Sequence, residues 1–369
     1  SEAVQNGISK PASPWKPELP EKISLGAMLT ESTFDGNRWG EPSDGLRTPI
    51  GIYDIPSKQE QDIQYIDLAE EGHLGIYGTS GTGKTTLLKT IICSYCLNYS
   101  PADVNIHILD CGGWSMGRLL CLPHVGGVAL DSEEEKFEKF PKMISDELSR
   151  RKSLFAKNSV GTLTAYRKNV ADDIPAVIIA IDNIVPMFDL YPDMEPFLVT
   201  LASEGASFGI YLIYTANSTS GVRYKVQQNI KNAIAFELTD KGDYSTLVGK
   251  IDGLPLPHNP GRAFFKGNPP VTFQSALYSS GSTEAEMNAS LLEIAKTMAE
   301  KWNGPLPRPI PVMPDTVTAD NLKNEYNNRY LIPVGIDNSS LVTAFADMTD
   351  NYCMLITGTI GSGKSKMLS

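Results

Sequence analysis

This sequence is short of basic residues, of histidine and of long apolar runs. Lysine and arginine number 32 against 43 aspartates and glutamates, a formal net charge of −11. Proteins that bind nucleic acid neutralise phosphates with a basic surplus, so no nucleic-acid partner is expected. The four histidines sit in no ligand cluster, and no structural metal is expected. Five cysteines, Cys93, Cys96, Cys111, Cys121 and Cys353, are odd in number and scattered, which suggests reduced thiols in a cytosolic compartment. Cys93 and Cys96 form a CxxC, but inside the apolar stretch LLKTIICSYCL. A spacing of three residues there is what the buried face of a helix needs. No unbroken apolar run reaches membrane-spanning length. No secretory signal is visible, and the first residue is Ser1 rather than Met. The chain therefore reads as a segment of something longer, with any membrane anchor outside it.

What is present divides into blocks. Residues 1–48 are rich in Pro, Ser, Gly and charge (PASPWKPELPEK, GNRWGEPSDG) and read as a leading linker and loop. From Pro49 the texture changes. PIGIYD, DIQYIDL and GHLGIYG predict short strands, and VNIHILD a buried strand ending in Asp110. Ser132 with Glu135 fits a capping box opening a charged helix to about Lys157, whose acidic surface reads as solvated. PAVIIAIDN, GIYLIYTAN and NAIAFEL are continuous apolar runs, the pattern of parallel strands covered on both faces. Strands alternating with helices predict an α/β doubly wound sheet that binds ligands at the carboxyl ends of its strands. Thr283 with Glu286 caps a last helix carrying Met287, Leu291, Ile294, Met298 and Trp302 along one face. The domain expected is 49–303. A Pro-rich interdomain linker and lead-in follows at 304–331, around GPLPRPIPVMP.

Beyond it the pattern restarts. PIGIYD recurs as PVGID at 333–337, and HLGIYGTSGTGKTTLL as YCMLITGTIGSGKSKML at 352–368. Residues 332–369 thus read as the opening of a second copy, cut after its phosphate loop, the chain being a piece of a tandem array.

Both copies contain GxxxxGK[ST]. In the first, Gly78-Thr79-Ser80-Gly81-Thr82-Gly83-Lys84-Thr85-Thr86 follows a strand and opens a helix. Glycines let backbone N–H groups turn inward around phosphate oxygens, and the helix dipole points at the same anion. Lys84 is expected to reach the β- and γ-phosphates and Thr85 to hold Mg2+. Asp182, closing IIAID, is placed to help hold the metal. The next residue is Asn183, an amide that can orient water but cannot take its proton. Asp110 and Glu204 are conceivable substitute bases. Asn217 is placed to sense a γ-phosphate, and Arg262 in NPGRAFF to contact a phosphate from a neighbouring subunit. The second loop supplies Gly358, Gly361, Gly363, Lys364 and Ser365, without a downstream strand and acid in this chain, and is expected not to be competent here.

Together with LPHVGGVALDSEEEKFEKFPKMISDELSRRKSLF, these motifs resemble the FtsK/SpoIIIE class of P-loop ATPases. More closely they are similar to the EssC/EccC ATPases of type VII secretion, over most of residues 49–369. That family carries several ATPase domains in a row. Asp182-Asn183, where its first domain usually has Asp-Glu, resembles the second domain followed by the start of the third. The resemblance implies a RecA-like P-loop fold, ATP with Mg2+, and adjacent ATPase domains in the same polypeptide. It also implies hexameric assembly and export of WXG100-type proteins at the cytoplasmic face of the membrane. The function expected is ATP binding in a secretion motor with weak or absent hydrolysis. The alternatives are an active FtsK-type DNA translocase and a non-catalytic scaffold or substrate-docking module.

Overall fold

A computed structural model of the chain describes residues 16–28, 30–41, 45–171, 173–251, 254, 258–318, 322, 328, 330–338, 341–350 and 353–368. Parts of the expected leading linker (1–15, 29, 42–44) and of the lead-in to the second copy (319–321, 323–327, 329) lie outside the described residues, as does Tyr352 of the restart.

One large sheet organises the main domain. In chain order its strands are β1 (Ile23–Ser24), β2 (Arg47–Ile55), β3 (Glu60–Asp67), β4 (Leu74–Tyr77), β5 (Val104–Asp110), β6 (Val125–Leu130), β7 (Ala176–Asp182), β8 (Ile210–Ala216), β9 (Asn232–Ala235), β10 (Arg262–Phe265) and β11 (Val271–Leu277). They lie in the order β3-β2-β11-β10-β9-β4-β8-β7-β5-β6, with β1 beside β11. From β9 to β6 every pairing is parallel. From β9 through β10, β11 and β2 to β3 every pairing is antiparallel. The apolar runs account for the parallel half. In β7, Ile178 and Ala180 enter one core cluster, and Val177, Ile179 and Ile181 the other, so both faces are covered.

The principal helices are α1 (Lys84–Asn98), α2 (Glu134–Lys157), α3 (Ile184–Leu190), α4 (Met194–Glu204) and α5 (Glu284–Lys301). Helix α1 is buried nearly all round, Cys93 and Cys96 included. It covers one sheet face with Leu87, Ile91 and Tyr95. Helices α2 to α4 cover the other with Phe140, Met187 and Leu198. The Thr283–Glu286 capping box at the start of α5 is formed. The Ser132–Glu135 box is not. Helix α2 begins one residue later with Glu133 at its N-cap, and the Glu133 carboxylate accepts from Leu130 N at 2.9 Å. Glu135 instead pairs with Lys139 and accepts from Met313 N at 2.6 Å.

Two segments read as linkers are packed rather than free. Leu19, Ile23, Leu25, Met28 and Phe34 are buried against the domain, and Trp39 donates from Nε1 to Cys96 O at 2.9 Å. These apolar side chains are spaced among prolines and charges, so average composition conceals them. The proline-rich segment after α5 runs along the β6 edge. There Gly126 and Gly127 leave room for Arg308 and Ile310, since a Cβ at Gly127 would lie 2.7 Å from the Ile310 side chain.

Residues 331–347 share a local feature with the start of the main domain, whereas the residues before the second loop (353–359) form no counterpart of β4. Strands β12 (Leu331–Ile336) and β13 (Thr343–Asp347) form an antiparallel pair with a register shift between Pro333 and Gly335. The β2–β3 pair shifts between Pro49 and Gly51. The Pro-x-Gly bulge is thus common to both. No described helix is long and apolar enough to cross a membrane.

Candidate nucleotide-binding site

The loop between β4 and α1 turns through two left-handed glycines, Gly81 (φ 82°) and Gly83 (φ 109°). A side chain at either would be strained. At Gly78 the constraint is space: a Cβ would lie 2.7 Å from the Phe236 Cβ and 2.8 Å from Thr82 Oγ1. Backbone bonds fix the loop from behind. Gly78 N donates to Ala216 O at 3.2 Å, Thr79 N to Glu237 O at 2.8 Å, and Gly261 N to Thr82 O at 2.9 Å. Thr82 Oγ1 and Lys84 Nζ both donate to Thr79 O at 2.8 Å.

In front of the loop is a cavity of about 350 Å³. Ser80, Gly81, Gly83, Lys84, Thr85 and Thr86 line it, whereas Gly78, Thr79 and Thr82 form the frame behind. Across from the loop stand Asp182, Asn183 and Asn217. The parallel register that pairs β4 with β8, and β8 with β7, brings these three strand ends level.

Asp182 is 1% exposed. Thr85 Oγ1 lies 3.0 Å from both carboxylate oxygens, and Thr215 Oγ1 donates to Oδ1 at 2.7 Å. Burial pushes its pKa up, Thr215 and Thr85 pull it down, neighbouring Asp110 raises it and Lys84 lowers it; the net direction is up. Burial pulls Lys84 down, against the attraction of Asp182. A hydroxyl and a carboxylate facing each other, with an ammonium beside them, are the donors a hard divalent cation bound to phosphate takes. The residues present therefore fit nucleotide with Mg2+.

Asn183 caps α3 in the left-handed region (φ 57°, ψ 74°), which Asn tolerates better than most residues. Its N–H donates to Thr215 Oγ1 at 2.7 Å, and Nδ2 to Cys111 O at 3.3 Å. Neither substitute base reaches the cavity lining. Asp110 is fully buried and accepts from Gly112 N at 3.0 Å and Met116 N at 2.9 Å. Glu204 is ion-paired with Lys152 at the end of α4. Arg262 also lies outside the lining. Its Nε donates to Gln274 Oε1 at 2.9 Å and its Nη2 to Leu19 O at 3.1 Å.

Three contributors escaped the sequence reading. Thr215 orients Asp182, Gly112 lets the next strand's loop pass it, and Gly261 braces the phosphate loop. A Cβ at Gly112 would overlap Asp182 Oδ2. Thr215 and Asn217 alternate in YTAN, so one face of β8 was readable as the site face. The CGG after Asp110 was the other available signal.

The second loop has the same local geometry. Gly361 and Gly363 are left-handed (φ 84° and 87°), and Lys364 Nζ donates to Gly358 O at 2.7 Å and Thr359 O at 2.6 Å. Ser365 lies in the short helix Lys364–Leu368.

The FtsK/SpoIIIE family model matches residues 42–252. Among curated relatives, the ESX secretion system protein EccC of Geobacillus thermodenitrificans is 30% identical over 371 residues, 99% of this chain and 24% of the relative. The type VII secretion system protein EssC of Staphylococcus aureus is 26% identical over 335 residues, 88% of this chain and 22% of the relative. The chain thus spans about a quarter of the length of these relatives. Among solved structures, EssC (ATPases 2 and 3) from Geobacillus thermodenitrificans superposes with a TM-score of 0.79 at 28% identity, covering 90% of this chain and 62% of that one. Thermomonospora curvata EccC (ATPases 2 and 3), in complex with a signal sequence peptide, gives 0.75 at 26% identity, with the same coverage.

Proposed function

Since the chain belongs to the FtsK/SpoIIIE family of P-loop ATPases, we propose that it is an ATP-binding module of a type VII secretion motor, hydrolysing ATP slowly or not at all. The observation that carries this reading is the set Lys84, Thr85 and Asp182 around one cavity, with an amide next to the acid. Bound Mg2+ would supply Lewis-acid neutralisation of phosphate charge. The chain's own groups do the rest. Lys84 neutralises the β- and γ-phosphates, Gly81 and Gly83 free backbone N–H groups for them, and Thr85 with Asp182 holds the metal. Asn217 lines the same cavity and would sense a γ-phosphate there. Asn183 orients water without accepting its proton, and loss of a general base costs about 10²–10⁴ in rate.

The likeness to ATPases 2 and 3 supports reading the main domain as a second ATPase and residues 332–369 as the start of a third. The second loop is proposed not to be competent in this chain, because no strand-end acid stands across from it among the described residues. Adjacent ATPase domains of one polypeptide, hexameric assembly, WXG100-type export substrates and a place at the cytoplasmic face of the membrane belong to this proposal as the parent protein's properties.

The test is the fate of ATP. Equimolar protein, ATP and Mg2+ are held for an hour, bound nucleotide is separated, and its identity is determined. Intact ATP on the wild type is expected, with none retained by Lys84→Ala. Asn183→Glu is expected to convert bound ATP to ADP at least tenfold faster. Conversion by the wild type would show that another residue supplies the base.

A further inference from the structure

The phosphate loop is tied to the N-terminal segment by a continuous set of hydrogen bonds. Gln274 stands at the centre. It is 1% exposed on β11, one strand from the segment's own β1. Its Nε2 donates to Glu21 O at 3.0 Å and to Pro260 O at 3.1 Å, and its Oε1 accepts from Arg262 Nε at 2.9 Å. Arg262 in turn donates to Leu19 O. The two side chains therefore clasp residues 19–21 to the turn at 259–262.

That turn holds the phosphate loop. Gly261 is left-handed (φ 82°), and a Cβ there would lie 2.5 Å from Gln274 Nε2 and 3.0 Å from Ser275 Oγ. Ser275 N donates to Gly261 O at 2.8 Å, and Gly261 N donates to Thr82 O at 2.9 Å. In a trans peptide the C=O and the following N–H point in opposite directions. Holding the Thr82 carbonyl back toward Gly261 therefore turns the Gly83 N–H the other way, and Gly83 lines the cavity.

We propose that Gln274 is a positioning residue for the nucleotide site, and that seating of residues 19–24 on β11 sets the aim of the Gly83 N–H through Gln274 and Gly261. The segment is then an input to the site: with it seated the cradle is preformed, and with it displaced the 82–83 peptide is free to rotate. This rests on the reading of the first loop as a nucleotide site, and Lys84→Ala tests that reading separately.

The experiment measures affinity for a nonhydrolysable ATP analogue with Mg2+, together with hydrogen exchange, in Gln274→Leu, Ile23→Asp and the double variant. Ile23, within the segment and paired opposite Ala276 of β11, is 5% exposed, so a carboxylate there unseats the segment. Each single variant is expected to weaken binding by about three- to tenfold, the worth of one or two hydrogen bonds. The double variant is expected to be no weaker than the worse single one, since both act on one linkage. Exchange is expected to speed up in residues 79–86 and to be unchanged in β5 and β7. Gln274→Glu, which keeps the acceptor for Arg262 but lacks the N–H donors, serves if Gln274→Leu does not fold. Wild-type affinity in folded Gln274→Leu or Gln274→Glu overturns the proposal. So do multiplying losses in the double variant, and so does faster exchange spread evenly over the domain. Loss of binding in Lys84→Ala with wild-type affinity in all three variants would leave the nucleotide site standing and remove the input.

Discussion

Asp182 is the most constrained side chain of the site, and its constraints come from three strands. Thr85 follows β4, Thr215 lies on β8, and Gly112 follows β5. The two hydroxyls oppose the effect of burial on the carboxyl, yet its pKa remains raised. A group balanced in that way responds to small displacements. Gly112→Ala places a methyl where Asp182 Oδ2 now sits, and the carboxylate must turn. In the proposed role of Asp182 as a metal holder, disturbing its support costs about 10–100-fold in metal affinity. Nucleotide affinity with Mg2+ is therefore expected to fall by at least about tenfold, while affinity in EDTA stays near wild type. A titration of each condition by calorimetry distinguishes this from loss of the fold, which would abolish both.

At the scale of elements, helix α2 shows how a charged sequence is held down. Phe137, Phe140, Ile144, Leu148 and Phe155 form its buried stripe, so the reading of 133–157 as a solvated face describes only the opposite side. Arg151 continues the buried stripe at 1% exposure. Its guanidinium donates to Phe208 O at 2.8 Å, Gly209 O at 3.2 Å, Pro175 O at 2.8 Å and Glu147 Oε1 at 2.6 Å. It thereby satisfies carbonyls at the entrances to β7 and β8, the strands that carry Asp182 and Thr215. Arg151→Met keeps much of the packing but removes the guanidinium donors to Phe208 O and Pro175 O, while Glu147 stays paired with Arg150 and Gly209 O with Val177 N. The loss is about 1–3 kcal/mol, that of buried acceptors deprived of a donor. Urea unfolding is expected to show the loss as a lower midpoint at unchanged slope. Elements of this kind separate what the sequence could show from what it could not. The phosphate loop and Asp182 were readable because Gly spacing and apolar run length are local properties. The packed segment 16–41, the start of α2 and the brace at Gly261 were not. Each depends on a partner tens to hundreds of residues away, such as Glu135 with Met313 or Gln274 with Glu21.

At the scale of the whole molecule, acid sensitivity follows from three buried imidazoles. His73, His107 and His124 each have a pKa lowered from 6.5 to about 4, chiefly by burial. His73 Nδ1 accepts from Leu212 N at 2.9 Å, which a protonated ring could not do. His124 is bonded through Nε2 to Tyr99 O at 2.7 Å beneath the Trp39 ring. A folded-state pKa below the unfolded value means that the unfolded chain binds more protons between pH 6.5 and 4. Stability therefore rises with pH through that window and is lost as pH falls through it. Glu71 acts in the opposite sense, its pKa raised from 4.5 to about 7 by burial, so folding favours its protonation between pH 7 and 4.5. Three imidazoles against one carboxyl leave the net slope with the histidines, each proton contributing about 1.4 kcal/mol per pH unit. The melting temperature is expected to fall steadily from pH 6.5 to 4.5. His107→Phe replaces a ring packed against Phe140 without adding a titrating group. It is expected to flatten that fall by about half, one of a net two protons, while leaving the melting temperature at pH 7.5 within a few degrees of wild type. An unchanged slope in this variant would mean that His107 is not protonated during acid unfolding and that other groups carry the linkage.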